Sequence, residues 1–329
     1  MFNQKKFIVS HAPFWQDGSS ISTKNYHIML AAMLSVIPGI LQYGGPAVAV
    51  VCFSIATAMI WELIINRISK RPVSIGDGNA AMIGLIFAMM VPATTPWWGV
   101  LVGTMVAVVI GKQIYGGLGG NPFNPVLVSI AILSLSWKGM FDFDEALLAY
   151  DFDHTMIYPL AALKAFGPDS VSSFSSVDLL MGRQIGGIGS TCGIAIIIGG
   201  IYLIARGIYL IAHGFIRWEI SISFIAGIFI TALLFTMFGE EGKYAGPLFH
   251  LLTGYTLIGA FYLATEDSSS PVNFIPMLIY GAGCGVMTIL IRNIGAYVDG
   301  VVLAILLMNI VNPLLDKIRP KALGKVVGK

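Results

Sequence analysis

The sequence predicts an all-α polytopic membrane protein of about ten transmembrane helices. Three observations carry that expectation: an apolar composition, ten apolar runs, and one long polar stretch with five runs on either side. Of the 329 residues, 56% are hydrophobic and 11% charged, and the mean hydropathy is +0.82. Soluble domains carry about 25% charged residues. The net charge of +2 carries little information, so the placement of the charges is the better guide.

The chain opens with a polar segment, 1–26, that lacks an apolar stretch ending in small residues; it reads as a retained cytoplasmic segment and not as a signal peptide. Apolar runs at 27–42, 46–66, 78–92, 97–115 and 121–138 form a first membrane half, 27–138. The run at 78–92 is short for the roughly 20 residues a helical crossing needs. Residues 139–189 are polar and carry Asp142, Asp144, Glu145, Asp151, Asp153, Asp169 and Asp178. A second half, 190–315, contains runs at 190–212, 219–238, 246–265, 272–291 and 297–315, and a basic tail, 316–329, closes the chain.

Lys and Arg concentrate on cytoplasmic loops. With the N-terminus inside, fourteen of the 19 Lys and Arg fall on the inner side and five (Lys138, Lys164, Arg183, Lys243 and Arg292) on the outer. Both termini are therefore expected in the cytoplasm, with 139–189 outside. "MIGLIFAMMVPATTP" (82–96) aligns without a gap to "LIGAFYLATEDSSSP" (257–271), each running from apolar residues through small hydroxyl residues to Pro. Five spans per half would make such a repeat an inverted one, with its site where helices break near the midplane.

"YGGLGGNPFNP" (115–125) is the densest interruption. It reads either as a tight turn at the membrane surface or as a re-entrant site, since broken backbone at membrane depth survives only where protein or water satisfies it. It follows a membrane helix, not a strand, so it is no dinucleotide fingerprint. Among intramembrane ionisable groups, Glu62 is expected to pair with Arg67 or snorkel, and Asp77 to cap the third helix. His250 and Asp299 border later helices; Asn121, Asn124, Asn309 and Asn312 offer neutral polar contacts. Cys52, Cys192 and Cys284 stand alone in apolar stretches and read as small buried residues. No metal-ligand, nucleophile-base or phosphate-loop pattern emerges, and none that would bind nucleic acid. A transporter and an electron-carrying subunit both fit these residues.

"DGNAAMIGLIFAMMVPATTPWW", "GKQIYGGLGGNPFNP", "GGIGSTCGIAIIIGG", "FHLLTGYTLIGAFYLAT" and "GAYVDGVVLAILLMNIVNPLLD" together resemble one family, the D-type membrane component of the Rnf ferredoxin:NAD oxidoreductase (RnfD) and its relative NqrB of the sodium-pumping quinone reductase. They follow in order through both halves. The resemblance implies a multi-pass subunit of the prokaryotic inner membrane, in a complex that couples electron transfer between ferredoxin and NAD to Na⁺ or H⁺ movement. It implies other membrane and peripheral subunits and the lipid bilayer as partners. It also implies a fold of two inverted five-helix repeats, similar to urea channels. The candidates for an ion pathway are the carbonyls near Gly117 and Gly295 with Asn121, Asn124 and Asp299.

The resemblance further implies FMN, joined through its phosphate to a threonine in a motif like D-x-x-[ST]-G-A-T followed by Pro-Leu. The matching stretch is "DFDHTMIYPLAALK". Counted back from Pro159, its positions hold Thr155, Met156, Ile157 and Tyr158, so the acceptor position is Tyr158 and Thr155 is the remaining hydroxyl. Covalent attachment is not expected; FMN is then held non-covalently or is absent. Tyr150, Phe152 and Tyr158 could stack on a flavin or anchor in the interface. Arg183 could meet a phosphate or pair with a nearby acid. The alternative reading is a flavin-free channel-like or structural membrane subunit.

Overall fold

Helix starts are written in local chemistry. In the computed structural model, which describes residues 20–141, 143, 150, 157–209, 217–239 and 243–319, the Ser20 hydroxyl accepts from Thr23 N at 3.1 Å and opens α1, Ile21–Tyr43. Pro46 lies in the first turn of α2, Gly45–Ile68. α3, Asn79–Met90, is capped by Gly78 and not by Asp77 as expected, though the Asp77 carboxylate beside it accepts from Asn79 N at 2.8 Å. Next come α4, Trp97–Met105, which continues as a π-helical stretch over Val106–Gln113, and α5, Pro125–Ser136, capped by Asn124 through Val126 N and Leu127 N. Two short helices, α6 (Pro159–Phe166) and α7 (Ser176–Met181), form the polar connection. The second half contains α8, Gly193–Tyr209; α9, Trp218–Phe238; α10, Pro247–Leu252; α11, Thr256–Ile258, continuing as a π-helical Gly259–Leu263; α12, Phe274–Asn293; and α13, Val301–Leu315.

The expectation of about ten full spans in two inverted five-helix repeats is overturned. Among the described residues four helices are long and apolar enough to cross a membrane: α1, α2, α9 and α12. Five further apolar helices have only 10–17 residues. At 1.5 Å per residue these fall short of a hydrocarbon core about 30 Å thick. Apolar runs overcount spans because hydropathy does not register where the backbone stops being helical. The run at 246–265 divides at Thr253–Tyr255, and the run at 78–92 holds only α3, 12 residues that end at Met90. The halves do not reduce to five complete crossings each, so the urea-channel-like description built on that count goes with it.

The start of α1, the turn at 264–273 and the end of α13 share one face, called here the terminal face. Lys24 pairs with Asp267, and Asp316 accepts from Val272 N. On the opposite, loop face, Tyr43 donates to Gly186 O at 3.1 Å, and Lys164 Nζ donates to Gly295 O and Tyr297 O, both at 2.6 Å. Burial lowers the pKa of Lys164 from its ordinary value. Leu41, Leu234, Phe238 and Ile310 stand exposed around the outside, as side chains facing lipid do.

Close backbone approach decides the packing. A Cβ on Gly227 would lie 2.6 Å from Ala282 O, and one on Gly281 2.5 Å from Ile220 O, so α9 and α12 cross where side chains are missing. In the centre the broken pieces meet. The segment 187–189 lies across the end of α3, with Gly189 N donating to Met89 O at 2.9 Å and Ile188 N to Val91 O at 3.1 Å. The Tyr255 hydroxyl donates to Met90 O at 2.6 Å. These bonds satisfy carbonyls that a helix C-terminus leaves without partners.

Candidate functional site

The interruption at 115–125 is a turn at the terminal face. Gly116, Gly117 and Gly119 adopt φ of +112°, +102° and +83°, values L side chains rarely take, and Tyr115 and Leu118 stand exposed. From this turn Asn121 and Asn124 point inward to a cavity of about 220 Å³, whose walls also include Lys24, Asn79, Lys112 and Glu266. Asn121 Nδ2 donates to Phe123 O at 3.0 Å and Glu266 Oε1 at 3.1 Å; Asn124 Nδ2 donates to Leu263 O at 3.0 Å. Glu266 Oε2 accepts from Ser269 N at 2.9 Å and Ser269 Oγ at 2.5 Å. Burial holds its carboxyl above the ordinary carboxylate value, outweighing these bonds, which favour the charged form.

Behind the cavity wall Lys112 Nζ, in the π-helical stretch, lies 2.8 Å from Glu62 Oε1 on α2, both side chains buried. Ser74 Oγ donates to the same oxygen at 2.5 Å, while Glu62 Oε2 is buried without a partner. Glu62 therefore pairs with Lys112 and not with Arg67, and it does not snorkel, being fully buried. The reason is geometric: Lys112, counted in the sequence as a loop charge, lies inside the packed helices.

A second pocket, of about 470 Å³, opens toward the loop face. Five aromatic residues (Phe141, Phe143, Tyr158, Tyr255 and Tyr297) line it with Lys138 and Asp299. Tyr158 begins α6 and turns its ring inward, 4.6 Å from that of Phe143. Burial raises its hydroxyl well above the ordinary tyrosine value, and the nearby Asp299 and Tyr255 add to the rise. Asp299 is fully engaged: it accepts from Arg292 and Val301 N through Oδ1, at 2.9 and 3.1 Å, and from Tyr255 N through Oδ2 at 2.7 Å. Arg292, also counted as a loop charge, is buried and reaches His250 O at 2.8 Å and Thr256 Oγ1 at 2.9 Å. The ring nitrogens of His250 are buried without partners.

The sequence-derived candidates thus divide between the two faces. Asn121 and Asn124 meet at the terminal-face cavity, with Gly117 in the turn beside them; Tyr158 and Asp299 share the loop-face pocket. Gly295 does not line that pocket; its carbonyl is held by Lys164. Arg183 does not line it but pairs with Asp178 at 3.1 Å, both partly exposed. Thr155, Phe152, Asp151 and Asp153 lie outside the described residues. Asn312 Nδ2 donates to Ser269 O at 2.9 Å, tying α13 to the turn at 264–273. Of the cysteines Cys284 is buried, Cys192 half-buried and Cys52 exposed on α2, so burial was wrongly expected for Cys52. Lys112, Tyr255, Glu266 and Arg292 were missed as site residues. A lone basic residue within a few positions of the end of an apolar run is the signal that could have found Lys112 and Arg292, because it demands an acid.

Comparison with known proteins agrees along nearly the whole chain. Residues 8–324 match the model of the NQR2, RnfD, RnfE family. The D component of the Na(+)-translocating ferredoxin:NAD(+) oxidoreductase complex of Acetobacterium woodii is 33% identical over 317 residues, covering 96% of this chain and 94% of that one. The D component of the proton-translocating ferredoxin:NAD(+) oxidoreductase complex of Clostridium ljungdahlii is 33% identical over 319 residues, 94% of each chain. The D component of the ion-translocating oxidoreductase complex of Cronobacter sakazakii is 30% identical over 358 residues, 97% of this chain and 99% of that one. With four membrane-length apolar helices and a match over residues 8–324, this chain is a multi-pass membrane protein that belongs to the NQR2, RnfD, RnfE family.

Proposed function

We propose that this chain is the D-type membrane component of an Rnf-type complex, coupling electron transfer between ferredoxin and NAD to movement of Na⁺ or H⁺ and acting only within that complex. The observation that carries this reading is the near full-length similarity to the D components of two such oxidoreductases. One of those relatives is named for Na⁺ and the other for protons at the same identity, so similarity does not choose the ion. Both termini are cytoplasmic in this reading, which puts the terminal-face cavity on the cytoplasmic side and the aromatic pocket outside.

The flavin in this reading is FMN held without a covalent bond in the loop-face pocket. The pocket's volume falls within the range of about 300–1,000 Å³ usual for small-molecule sites. Phe141, Phe143 and Tyr297 supply apolar faces for a planar ring, and Lys138 supplies a cation for the phosphate. Bound there, a flavin would accept and donate electrons one or two at a time, its potential set by neighbouring hydrogen bonds and charge. Tyr158 does not serve as acceptor in this reading, because a buried tyrosine stands where the motif has its threonine, with Met156 and Ile157 in place of Gly and Ala. That same observation favours the second reading, a flavin-free channel-like or structural subunit.

The test is intact mass and flavin fluorescence of this chain purified from its native complex, with partner subunits stripped away, before and after denaturation. Flavin released on denaturation supports the reading. Flavin mass retained on the denatured chain refutes the non-covalent site, and its complete absence favours the second reading. Failure of the chain to copurify with ferredoxin-linked subunits would remove the proposed function altogether.

A further inference from the structure

Tyr255 touches both halves of the proposed machine. Its ring lines the loop-face pocket, and its backbone N–H donates to Asp299 Oδ2 at 2.7 Å. Its hydroxyl donates to Met90 O at 2.6 Å, at the end of α3. The same helix, through Asn79, Met82, Ile83 and Ile86, forms a wall of the terminal-face cavity. Met89 and Val91 receive their bonds from backbone amides of 187–189, whereas Met90 receives its bond from a side chain that belongs to the pocket. Met90 is fully buried, so a shift of the Tyr255 ring either carries the end of α3 with it or strands a buried carbonyl.

We propose that Tyr255 is a positioning residue that links occupancy of the loop-face pocket to the placement of α3 at the terminal-face cavity, and so couples the redox event to ion movement. The inference rests on the function proposed above. Its chemistry is one hydrogen bond from the break between α10 and α11 to the end of α3, with no covalent or redox step of its own. Coupling of this kind ordinarily changes an affinity by about 5–150-fold.

The experiment uses the complete complex in sealed vesicles, with wild type, Tyr255→Phe and Thr253→Val compared. Ferredoxin-driven NAD reduction and the accompanying uptake of ²²Na⁺ or acidification are measured together. Tyr255→Phe keeps the ring in the pocket and removes only the hydroxyl. It is expected to retain the redox rate while ions moved per electron fall by about fivefold or more, the low end of ordinary coupling. Thr253→Val removes a buried hydroxyl that donates to Phe249 O at 2.7 Å within the same break and lines neither pocket, and it is expected to keep the wild-type ratio. An unchanged ratio in Tyr255→Phe overturns the proposal. So does a parallel loss of redox rate and ion uptake, which is what a merely structural role produces. If the wild-type complex moves no ion with its electrons, the proposed function fails first, and that failure is visible before any variant is compared.

Discussion

Replacing Lys112 with Met should destabilise the protein far more than its single hydrogen bond suggests. At 2.8 Å from Glu62 Oε1, the attraction is about 6 kcal/mol for an effective dielectric constant of about 20. Desolvating the two ions costs several kcal/mol each, so the intact pair lies near break-even. Removing Lys112 abolishes the attraction but leaves the Glu62 carboxylate fully buried, with only the Ser74 hydroxyl against it and Oε2 unpartnered. Stranding one member of a buried pair costs about 3–5 kcal/mol. At about 2 °C per kcal/mol for a chain of this size, Tm should fall by about 6–10 °C. The double variant Lys112→Met with Glu62→Leu removes both charges and should recover most of that loss. The assay is thermal unfolding of detergent-purified protein followed by tryptophan fluorescence. A single variant within about 1 kcal/mol of wild type, or a double variant no better than the single, would refute the reasoning.

Gly39→Ala should abolish folded protein, because its Cβ would lie 1.8 Å from Ile188 O, where backbone cannot yield; monodispersity on size-exclusion chromatography reads this directly. Burial raises Glu266 above its ordinary 4.5, so the folded state keeps that proton to higher pH than the unfolded chain does. Stability should therefore fall as pH rises from the ordinary value through the folded one, and Glu266→Gln should flatten that slope in a Tm-against-pH series. Tyr158→Thr restores a threonine at the family's acceptor position but removes a ring packed on Phe143, a loss of about 3–5 kcal/mol if it behaves as other buried aromatic truncations. Coexpressed with a flavin transferase, it should gain no flavin mass by intact mass spectrometry, since Met156 and Ile157 stand where the motif has Gly and Ala.

What was legible in the sequence was chemistry local to a few residues. Asp77 accepts from the Asn79 amide at the start of α3 because a short polar side chain before an apolar run has free amides to meet; Asn124 caps α5 in the same way, although the sequence offered it only as a neutral contact between helices. The membrane character followed from composition, and the family from five stretches spread over both halves. The span count failed because five of the apolar helices are only 10–17 residues long and because "HLLTGYTL" lies inside one apolar run, while the property that ends a helix there is the supply of donors from elsewhere in the chain. Met90 O can stop being helical only because Tyr255, 165 positions away, bonds it. A search along the sequence for one break looks where glycine is densest, at 115–125, and finds a surface turn with water to solvate it. The deeper breaks need fewer glycines, because protein and not water satisfies them. The same argument explains the site residues. Asn121 and Asn124 could be named from the turn they belong to, whereas Glu266, Lys112 and Arg292 each have a partner 145, 50 or 42 positions away. In a membrane interior such distant polar partners are obligatory. The residues that join the two faces of this protein are therefore those that a reading of neighbouring positions is least able to find.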